Sequence, residues 1–140
     1  MAEQLICLDT SVLIDYYRKK DKSKSLLFNL TKVYSCFSVT AITEYELYLG
    51  NSEIQNIFWD NFFSQITVLP FDTIAARNAV EIYKQLKSKN KMIDTPDILI
   101  AGTVMRYNYS LVTLNRKHFE RIDGLQIVTD KLFISPYKQN

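Results

Sequence analysis

Glycine, histidine and cysteine are scarce in this sequence, and each scarcity excludes a class of site. The 140 residues include only three glycines, Gly50, Gly102 and Gly124, and no two are close enough for a P-loop or for the G-x-G-x-x-G turn of dinucleotide-binding folds. A single histidine and two cysteines exclude multi-histidine zinc sites and cysteine-rich zinc or iron–sulfur sites. Catalytic or metal-binding chemistry must therefore come mainly from carboxylates, hydroxyls, amides and basic side chains.

Charged residues nearly balance, and the basic ones are grouped. Lys and Arg number 17 against 15 Asp and Glu, so the formal net charge is +2, which by itself does not indicate a nucleic-acid-binding protein. The basic residues form three runs, within Arg18–Lys24, Lys84–Lys91 and Arg116–Arg121. Each run alone is typical of a solvated surface, whereas three runs brought together by the fold could attract phosphate.

No stretch of the sequence has the features of a targeting or membrane segment. No apolar run approaches the ~18 residues that predict a membrane span, and the N-terminal apolar run has no basic region before it. Cys7 and Cys36 both lie in apolar runs, which predicts buried, reduced thiols. We therefore expect a cytoplasmic protein that does not associate with membranes.

Short apolar runs alternate with longer helical patterns along the chain, with no linker or repeat between them. Strands are predicted at residues 5–8, 33–39, 66–69, 111–113 and 125–129, and helices at 12–17, 23–30, 40–49, 53–63, 73–89 and 95–107. Alternation of this kind implies a parallel sheet with helices on both faces. We predict one domain over residues 1–140, of the α/β class, as a three-layer α/β/α sandwich with a central parallel sheet of four to five strands.

The same patterns predict helix caps and one buried helix face. The predicted caps are Thr10 or Ser11 for the first helix, Asp72 for the helix at 73–89 and Thr95 for the helix at 95–107. On the helix at 73–89, the residues predicted to face inward are Ala76, Ala79, Val80, Tyr83 and Leu86.

Polar residues follow the predicted strands, at the edge where parallel α/β sheets bind ligands. They are Asp9, Thr10, Ser11, Ser38, Thr40, Asn115 and Arg116. Because Thr10 or Ser11 can cap the following helix, we favour a functional role for Asp9 over a capping one. Asp97 lies in the first turn of a helix, where the helix dipole alone favours an acid by ~0.3–1 kcal/mol. Asp94 nearby suits a turn or a cap.

A third carboxylate is expected on the helix at 40–49, which carries an acid on each side of its apolar stripe. The stripe is predicted to comprise Ala41, Ile42, Tyr45, Tyr48 and Leu49. Glu44 and Glu46 flank it on opposite sides, and helical periodicity does not choose between them. Gly50 follows Glu46 by one helical turn and would let a ligand approach that acid closely, which favours Glu46.

Segments in order along the chain resemble the motifs of PIN-domain nucleases. They are LDTSVLID at residues 8–15, ELYLG at 46–50, DILIA at 97–101, LVTLNRKHF at 111–119 and GLQIV at 124–128. Each motif is weak alone, but together they span nearly the whole chain. Length and architecture also resemble the VapC type, the small toxin members of prokaryotic toxin–antitoxin pairs.

The resemblance implies an RNA endonuclease that depends on Mg²⁺ or Mn²⁺. Carried over motif by motif, it assigns the catalytic and metal-binding acids to Asp9, Glu46 and Asp97, and so chooses Glu46 over Glu44. Asn115 takes the position of a fourth polar or acidic catalytic member. Acids from such distant positions can cluster only if a metal or protons offset their repulsion, and Mg²⁺ prefers hard oxygen ligands of this kind.

Other residues of these motifs are expected to support the reaction. Thr10, Ser11 and Thr113 could hydrogen-bond the acids or a metal-bound water. Arg116 and Lys117 are expected to contact RNA. The reaction implied is in-line attack of water on a phosphodiester, which leaves a 5′-phosphate and a 3′-hydroxyl.

Two positions depart from the family pattern. Residue 115 is an amide rather than an acid, which leaves three strong carboxylates. His118 stands where the family often has an acid, and it follows two basic residues in a predicted loop, where we expect it to be exposed. The choice between one and two metal ions therefore stays open.

The resemblance also implies partners. A toxin of this family would act on tRNA or rRNA, form a homodimer and bind a cognate antitoxin protein that blocks the acidic site. One alternative is a PIN-like module that binds RNA or protein without cutting, which the amide at Asn115 favours. Another is a receiver-like phosphorylation domain, which expects an acidic pair near the first strand, missing here, and a lysine after the last strand, for which Lys131 is the candidate.

Overall fold

A parallel sheet of four strands lies at the centre of the computed structural model, which describes residues 4–128. The strands are β1 (Ile6–Leu8), β2 (Ser38–Thr40), β3 (Thr67–Leu69) and β4 (Ser110–Val112). They lie in the order β3-β2-β1-β4, and every neighbouring pair is parallel. The chain therefore reverses its direction of winding between β1 and β4, and the carboxyl ends of those two strands meet at the point where such sheets bind ligands.

Beyond β4, the predicted fifth strand is much shorter than expected. Within the described residues it is reduced to one isolated parallel bridge between Leu111 and Ile127, supported by backbone hydrogen bonds from Leu111 N to Gln126 O at 2.8 Å and from Val128 N to Leu111 O at 2.9 Å. Thr129, its predicted last residue, lies outside the described residues, as does Lys131.

Helices cover both faces of the sheet. They are α1 (Thr10–Arg18), α2 (Leu26–Leu30), α3 (Ala41–Leu49), α4 (Glu53–Phe63), α5 (Thr73–Ser88), α6 (Thr95–Tyr107) and α7 (Arg116–Phe119), with a 3₁₀ turn at Lys22–Lys24. None of the helices in the part of the chain that the structure describes is long and apolar enough to cross a membrane.

Each face of the sheet has its own apolar core, so the fold has the three layers that the alternating pattern predicts. Ile6 and Leu8 of β1 join one core with α1, α2 and the buried Trp59 of α4. Cys7, between them in sequence, joins the other core with α5 and α6. This alternation is the period-two geometry of a strand that is buried on both sides.

Side-chain caps explain why several helix limits were predictable. Thr40 Oγ1 accepts a hydrogen bond from Thr43 N at 3.2 Å at the start of α3, and Ser52 and Gln55 form a capping box at the start of α4. Asp72 Oδ1 accepts a hydrogen bond from Ala75 N at 2.9 Å, which confirms the predicted cap of α5.

The predicted second strand began too early. Residues 33–39 were expected to be extended, but β2 begins at Ser38. Val33 N and Tyr34 N instead donate to Leu30 O at 3.0 and 2.8 Å, so the chain leaves α2 through a turn. β-branched and aromatic residues at 33 and 34 favour a strand, but these local hydrogen bonds prevail.

The buried faces of α3 and α5 also differ from prediction. On α5 the buried residues are Ala75, Ala79, Ile82 and Leu86, whereas Val80 and Tyr83, predicted to face inward, are exposed. The reason is the close approach of α6: a Cβ added at Gly102 would lie 2.7 Å from the Ala75 carbonyl oxygen, so small side chains must face this contact. On α3 the buried residues are Thr43 and Leu47, and Tyr45 and Leu49 of the predicted stripe are exposed.

The two cysteines have different surroundings. Cys7 is buried, and burial raises the pKa of its thiol to about 12. Cys36, which was also predicted to be buried, is exposed, because the strand expected to contain it begins two residues later.

Candidate active site

Asp9 follows β1 directly and lies at the carboxyl edge of the sheet. Its backbone N donates to Val112 O at 2.9 Å, which extends the pairing with β4 by one residue. Asp9 occupies the N-cap position of α1, but its side chain makes no capping bond. Its Oδ2 instead accepts hydrogen bonds from Ser11 Oγ at 2.7 Å and Thr113 Oγ1 at 2.8 Å. The predicted cap at Thr10 or Ser11 is therefore wrong, and both neighbours of the carboxylate are hydroxyls.

Glu46 of α3 lies on the same side of the sheet as Asp9. Its Oε1 accepts a hydrogen bond from Thr10 Oγ1 at 2.7 Å, and Thr10 Oγ1 is 2.9 Å from Thr43 Oγ1. Burial raises the pKa of Glu46, the bond from Thr10 lowers it, and the charge of Asp9 raises it further. Glu44, the other candidate on this helix, has no such contact with Thr10 or Asp9 among those that the structure describes.

Asp97 lies in the first turn of α6 and approaches the same place from the opposite face of the sheet. The predicted cap at Thr95 is wrong by one position, since Asp94 is the N-cap residue. Burial raises the pKa of Asp97 to about 6, and the charges of Asp9 and Glu46 add to this effect. Three carboxylates from distant parts of the chain are thus close enough for their charges to interact.

His118 borders the carboxylate of Asp97, and Asn115 contacts His118. Asn115 N donates to Thr113 Oγ1 at 2.9 Å, and its side-chain Nδ2 lies 2.8 Å from His118 Nδ1. His118 Nδ1 is also 3.5 Å from Asp97 Oδ2, and this contact lowers the pKa of Asp97 against the other effects. The histidine was predicted to lie in a loop, whereas it belongs to the short helix α7.

The structure brings His118 to the site, and the sequence analysis did not assign it a role. Its partner Asn115 precedes it by three residues, which is the spacing of neighbours on a helix. This spacing is the one feature of the sequence that could have predicted their contact. The approach to Asp97 of α6 depends on tertiary packing and has no local signature.

The two residues predicted to contact RNA differ in their surroundings. Arg116 Nη2 lies 3.1 Å from Glu120 Oε1, so its guanidinium is already paired with the residue that follows α7. Lys117 is exposed. Both residues follow Asn115 directly, on the side of the site formed by α7.

The donor atoms at this edge of the sheet suit a hard divalent cation. Carboxylate oxygens are the ligands that Mg²⁺ and Mn²⁺ prefer, and the raised pKa values of Glu46 and Asp97 indicate charges that a cation would offset. Within residues 4–128, however, no three acidic, histidine or cysteine side chains are already spaced as metal ligands. Asp9, Glu46 and Asp97 would therefore have to move closer to share one ion.

A parallel sheet with carboxylates beside its carboxyl edge places the chain in a class of small α/β domains that bind ligands at this edge. The chain belongs to the PIN domain family, whose model matches residues 6–125. This assignment confirms the resemblance and the predicted fold, and it is incompatible with the receiver-like alternative.

Curated relatives carry names of one kind. The chain is 33% identical over 131 residues to "Ribonuclease VapC1" of Methanocaldococcus jannaschii, covering 89% of this chain and 88% of the relative. It is 32% identical to "tRNA(fMet)-specific endonuclease VapC" of Shigella flexneri, covering 85% and 92% of the two chains.

Solved structures give the same result for the fold. The structure is similar to a chain in the crystal structure of DNA-bound VapBC from Salmonella typhimurium, with a TM-score of 0.78, 30% identity and coverage of 90% of this chain and 98% of that one. A chain of VapBC2 from Rickettsia felis, bound to a DNA fragment from its promoter, has a TM-score of 0.77 at 25% identity, with coverage of 88% and 96%.

Proposed function

We propose that this protein is a metal-dependent endoribonuclease and the toxin of a toxin–antitoxin pair. The observation that carries the proposal is the proximity of Asp9, Glu46 and Asp97, where burial and the charges of the other two acids raise the pKa of Asp97 to about 6. A cluster with this electrostatic cost is typical of a functional site. The relatives named as VapC ribonucleases support the choice of RNA as substrate.

In the proposed mechanism the three acids would hold Mg²⁺ or Mn²⁺, and the surrounding side chains orient the acids. The cation would supply activation of water and neutralisation of charge on the phosphodiester. Ser11 and Thr113 orient the Asp9 carboxylate through their hydrogen bonds to Oδ2.

Side chains around the other two acids have corresponding roles. Thr10 orients Glu46 through its 2.7 Å hydrogen bond. Asn115, the proposed fourth polar member, acts through His118, which lies beside Asp97. Arg116 and Lys117 are proposed to contact RNA next to the acids.

The partners follow from the relatives. An antitoxin partner is supported by the solved VapBC complexes, and tRNA is one candidate substrate because one relative is named for a tRNA. rRNA as a substrate, a homodimer and a single domain over residues 1–140 stay predictions. The cytoplasmic location also stays a prediction, which the two free thiols support.

A matched pair of variants on one helix tests the nuclease. Glu46→Gln should lower the rate of RNA cleavage in Mg²⁺ or Mn²⁺ by roughly 100-fold or more, equivalent to about 2.7 kcal/mol of transition-state stabilisation. Glu44→Gln, the same change two residues away, should leave the rate within about twofold, since Glu44 lies outside the cluster.

The measurement is the cleavage of labelled total RNA with and without EDTA, followed by mapping of the new ends. Equal cleavage by the two variants would contradict the proposed site. Absence of cleavage by the wild type, with RNA binding retained, would favour the PIN-like binding module.

A further inference from the structure

A groove beside the candidate active site runs along α1. It has a volume of about 560 Å³ and is lined by Ser11, Ile14, Asp15, Arg18 and Lys19. Ser11 is the residue whose hydroxyl donates to Asp9, so one end of the groove lies next to an acid of the candidate site. Residues at this spacing share one face of a helix, which makes the groove a continuous surface from the acids to the end of α1.

Of the charged side chains that line the groove, Arg18 is the one available to bind a ligand. Asp15 Oδ2 accepts a hydrogen bond from Leu26 N at 3.1 Å, and Asp15 Oδ1 lies 3.5 Å from Lys19 Nζ. The carboxylate and the ammonium are therefore already engaged with each other or with the backbone. Arg18 is exposed, and among the described contacts it makes no ion pair.

Another basic residue, Lys22, caps the carboxyl end of α1 and does not line the groove. Lys22 Nζ donates to Tyr16 O at 2.6 Å and to Tyr17 O at 2.8 Å, where it satisfies two carbonyls of the last helical turn. Of the basic run within Arg18–Lys24, Lys22 thus stabilises the helix end, whereas Arg18 faces the groove.

We infer that Arg18 binds a phosphate of the RNA substrate, near the scissile phosphate on the same strand. Arg18 follows Ser11 by seven residues, so the helical rise places them about 10.5 Å apart along α1. The long Arg18 side chain carries a planar guanidinium, which can bind a phosphate near the acids with two hydrogen bonds. Ile14, between the two ends, offers an apolar surface for a ribose or a base. The inference rests on the proposed function, because the strand must pass through the acidic cluster.

Arg18→Ala and Lys20→Ala form a matched pair. Lys20 is exposed, lies two residues further along and does not line the groove. The probe is a fluorescein-labelled oligouridylate of about 12 nucleotides, within the range of sites that bind single strands, and EDTA prevents cleavage. Fluorescence anisotropy over a series of salt concentrations gives the Kd and its salt dependence.

Arg18→Ala should weaken binding about fivefold and reduce the salt slope by about 0.7, the contribution of one phosphate contact to a single strand. Lys20→Ala should change the Kd by less than about twofold and leave the salt slope unchanged. The Kd of Arg18→Lys should fall between those of the wild type and Arg18→Ala. Equal effects of the two alanine variants, or no effect of Arg18→Ala, would overturn the inference. The inference would also be overturned if Arg18→Ala weakened binding of the antitoxin and left the affinity for RNA unchanged.

Cleavage by the wild-type protein separates this inference from the proposed function. If the wild type cuts RNA and Arg18→Ala binds the probe as tightly as the wild type, only the groove assignment fails. If the wild type does not cut RNA and Arg18→Ala still weakens binding selectively, the nuclease proposal fails, and Arg18 is a phosphate contact of an RNA-binding surface with no scissile phosphate beside it.

Discussion

Helix α6 has different surroundings at its middle and at its first turn. At Gly102, in the middle, α6 packs so closely on α5 that a Cβ would lie 2.7 Å from the Ala75 carbonyl oxygen. At Asp97, in the first turn, burial and neighbouring acids raise the pKa of the carboxyl to about 6. The middle of the helix therefore stabilises the fold, whereas the first turn holds a charge in surroundings that disfavour it. Mutations at these two places should change stability in opposite directions.

The largest effect on stability is expected at the packed middle. Gly102→Val should lower the free energy of unfolding by about 3 kcal/mol, because a branched side chain cannot fit without moving α5. Urea unfolding monitored by circular dichroism measures this change. Gly50→Ala is the control: no atom lies within 4 Å of a Cβ there, its φ is −111°, and the expected change is within about 0.5 kcal/mol. Similar losses in both variants would contradict the packing argument.

At the first turn, removing a charge should stabilise the protein. Asp97→Asn should raise the free energy of unfolding at pH 7.5 in EDTA by about 1 kcal/mol, after allowing for screening by solvent, while it impairs cleavage. Asp94→Asn, three residues earlier and without a side-chain capping bond, should change stability much less. A loss of stability in Asp97→Asn would show that the carboxylate is not electrostatically strained.

The stabilisation by Asp97→Asn should depend on pH in a definite direction. The folded-state pKa of Asp97, about 6, lies above the ordinary aspartate value of 3.8 that applies in the unfolded chain. Above pH 6 the carboxyl is ionised in both states, and the full cost of its charge is present. As the pH falls through 6, the folded protein takes up a proton that the unfolded chain does not yet bind, and the cost is lost. The difference between the variant and the wild type should therefore vanish by about pH 4, whereas a constant difference would exclude this origin.

Much of the fold could be predicted because its signals are local. The limits of α4 agree with prediction because Ser52 and Gln55 form a capping box within the segment. The buried face of α5 could not be predicted, because Ile82 and Val80 are both apolar and only contact with Gly102 of α6 favours the small residues at 75 and 79. Hydrophobic periodicity locates the helix, but the neighbouring helix determines its rotation.

The candidate site shows the same division between local and tertiary information. Its three acids could be proposed from strand ends, a helix start and the family resemblance. The hydrogen bond between Asp9 and Thr113, which are separated by 104 positions, could be predicted only as one of several possible contacts. It forms only because β1 and β4 are neighbouring strands. The contact of His118 with Asp97 depends on how α7 lies against α6, and no local pattern of residues carries that information.

The smallest effect is expected at this histidine. Removal of the side chain in His118→Ala should lower kcat/KM for RNA about threefold, or ~0.6 kcal/mol, because Asp97 loses a neighbour that stabilises its charged form. The same loss should raise the pKa of Asp97, so the acidic limb of the pH–rate profile should move to higher pH. Lys117→Ala, one residue earlier and exposed, can weaken RNA binding but should leave that limb in place. An unchanged acidic limb in His118→Ala would mean that the 3.5 Å contact with Asp97 does not affect the ionisation that the reaction requires.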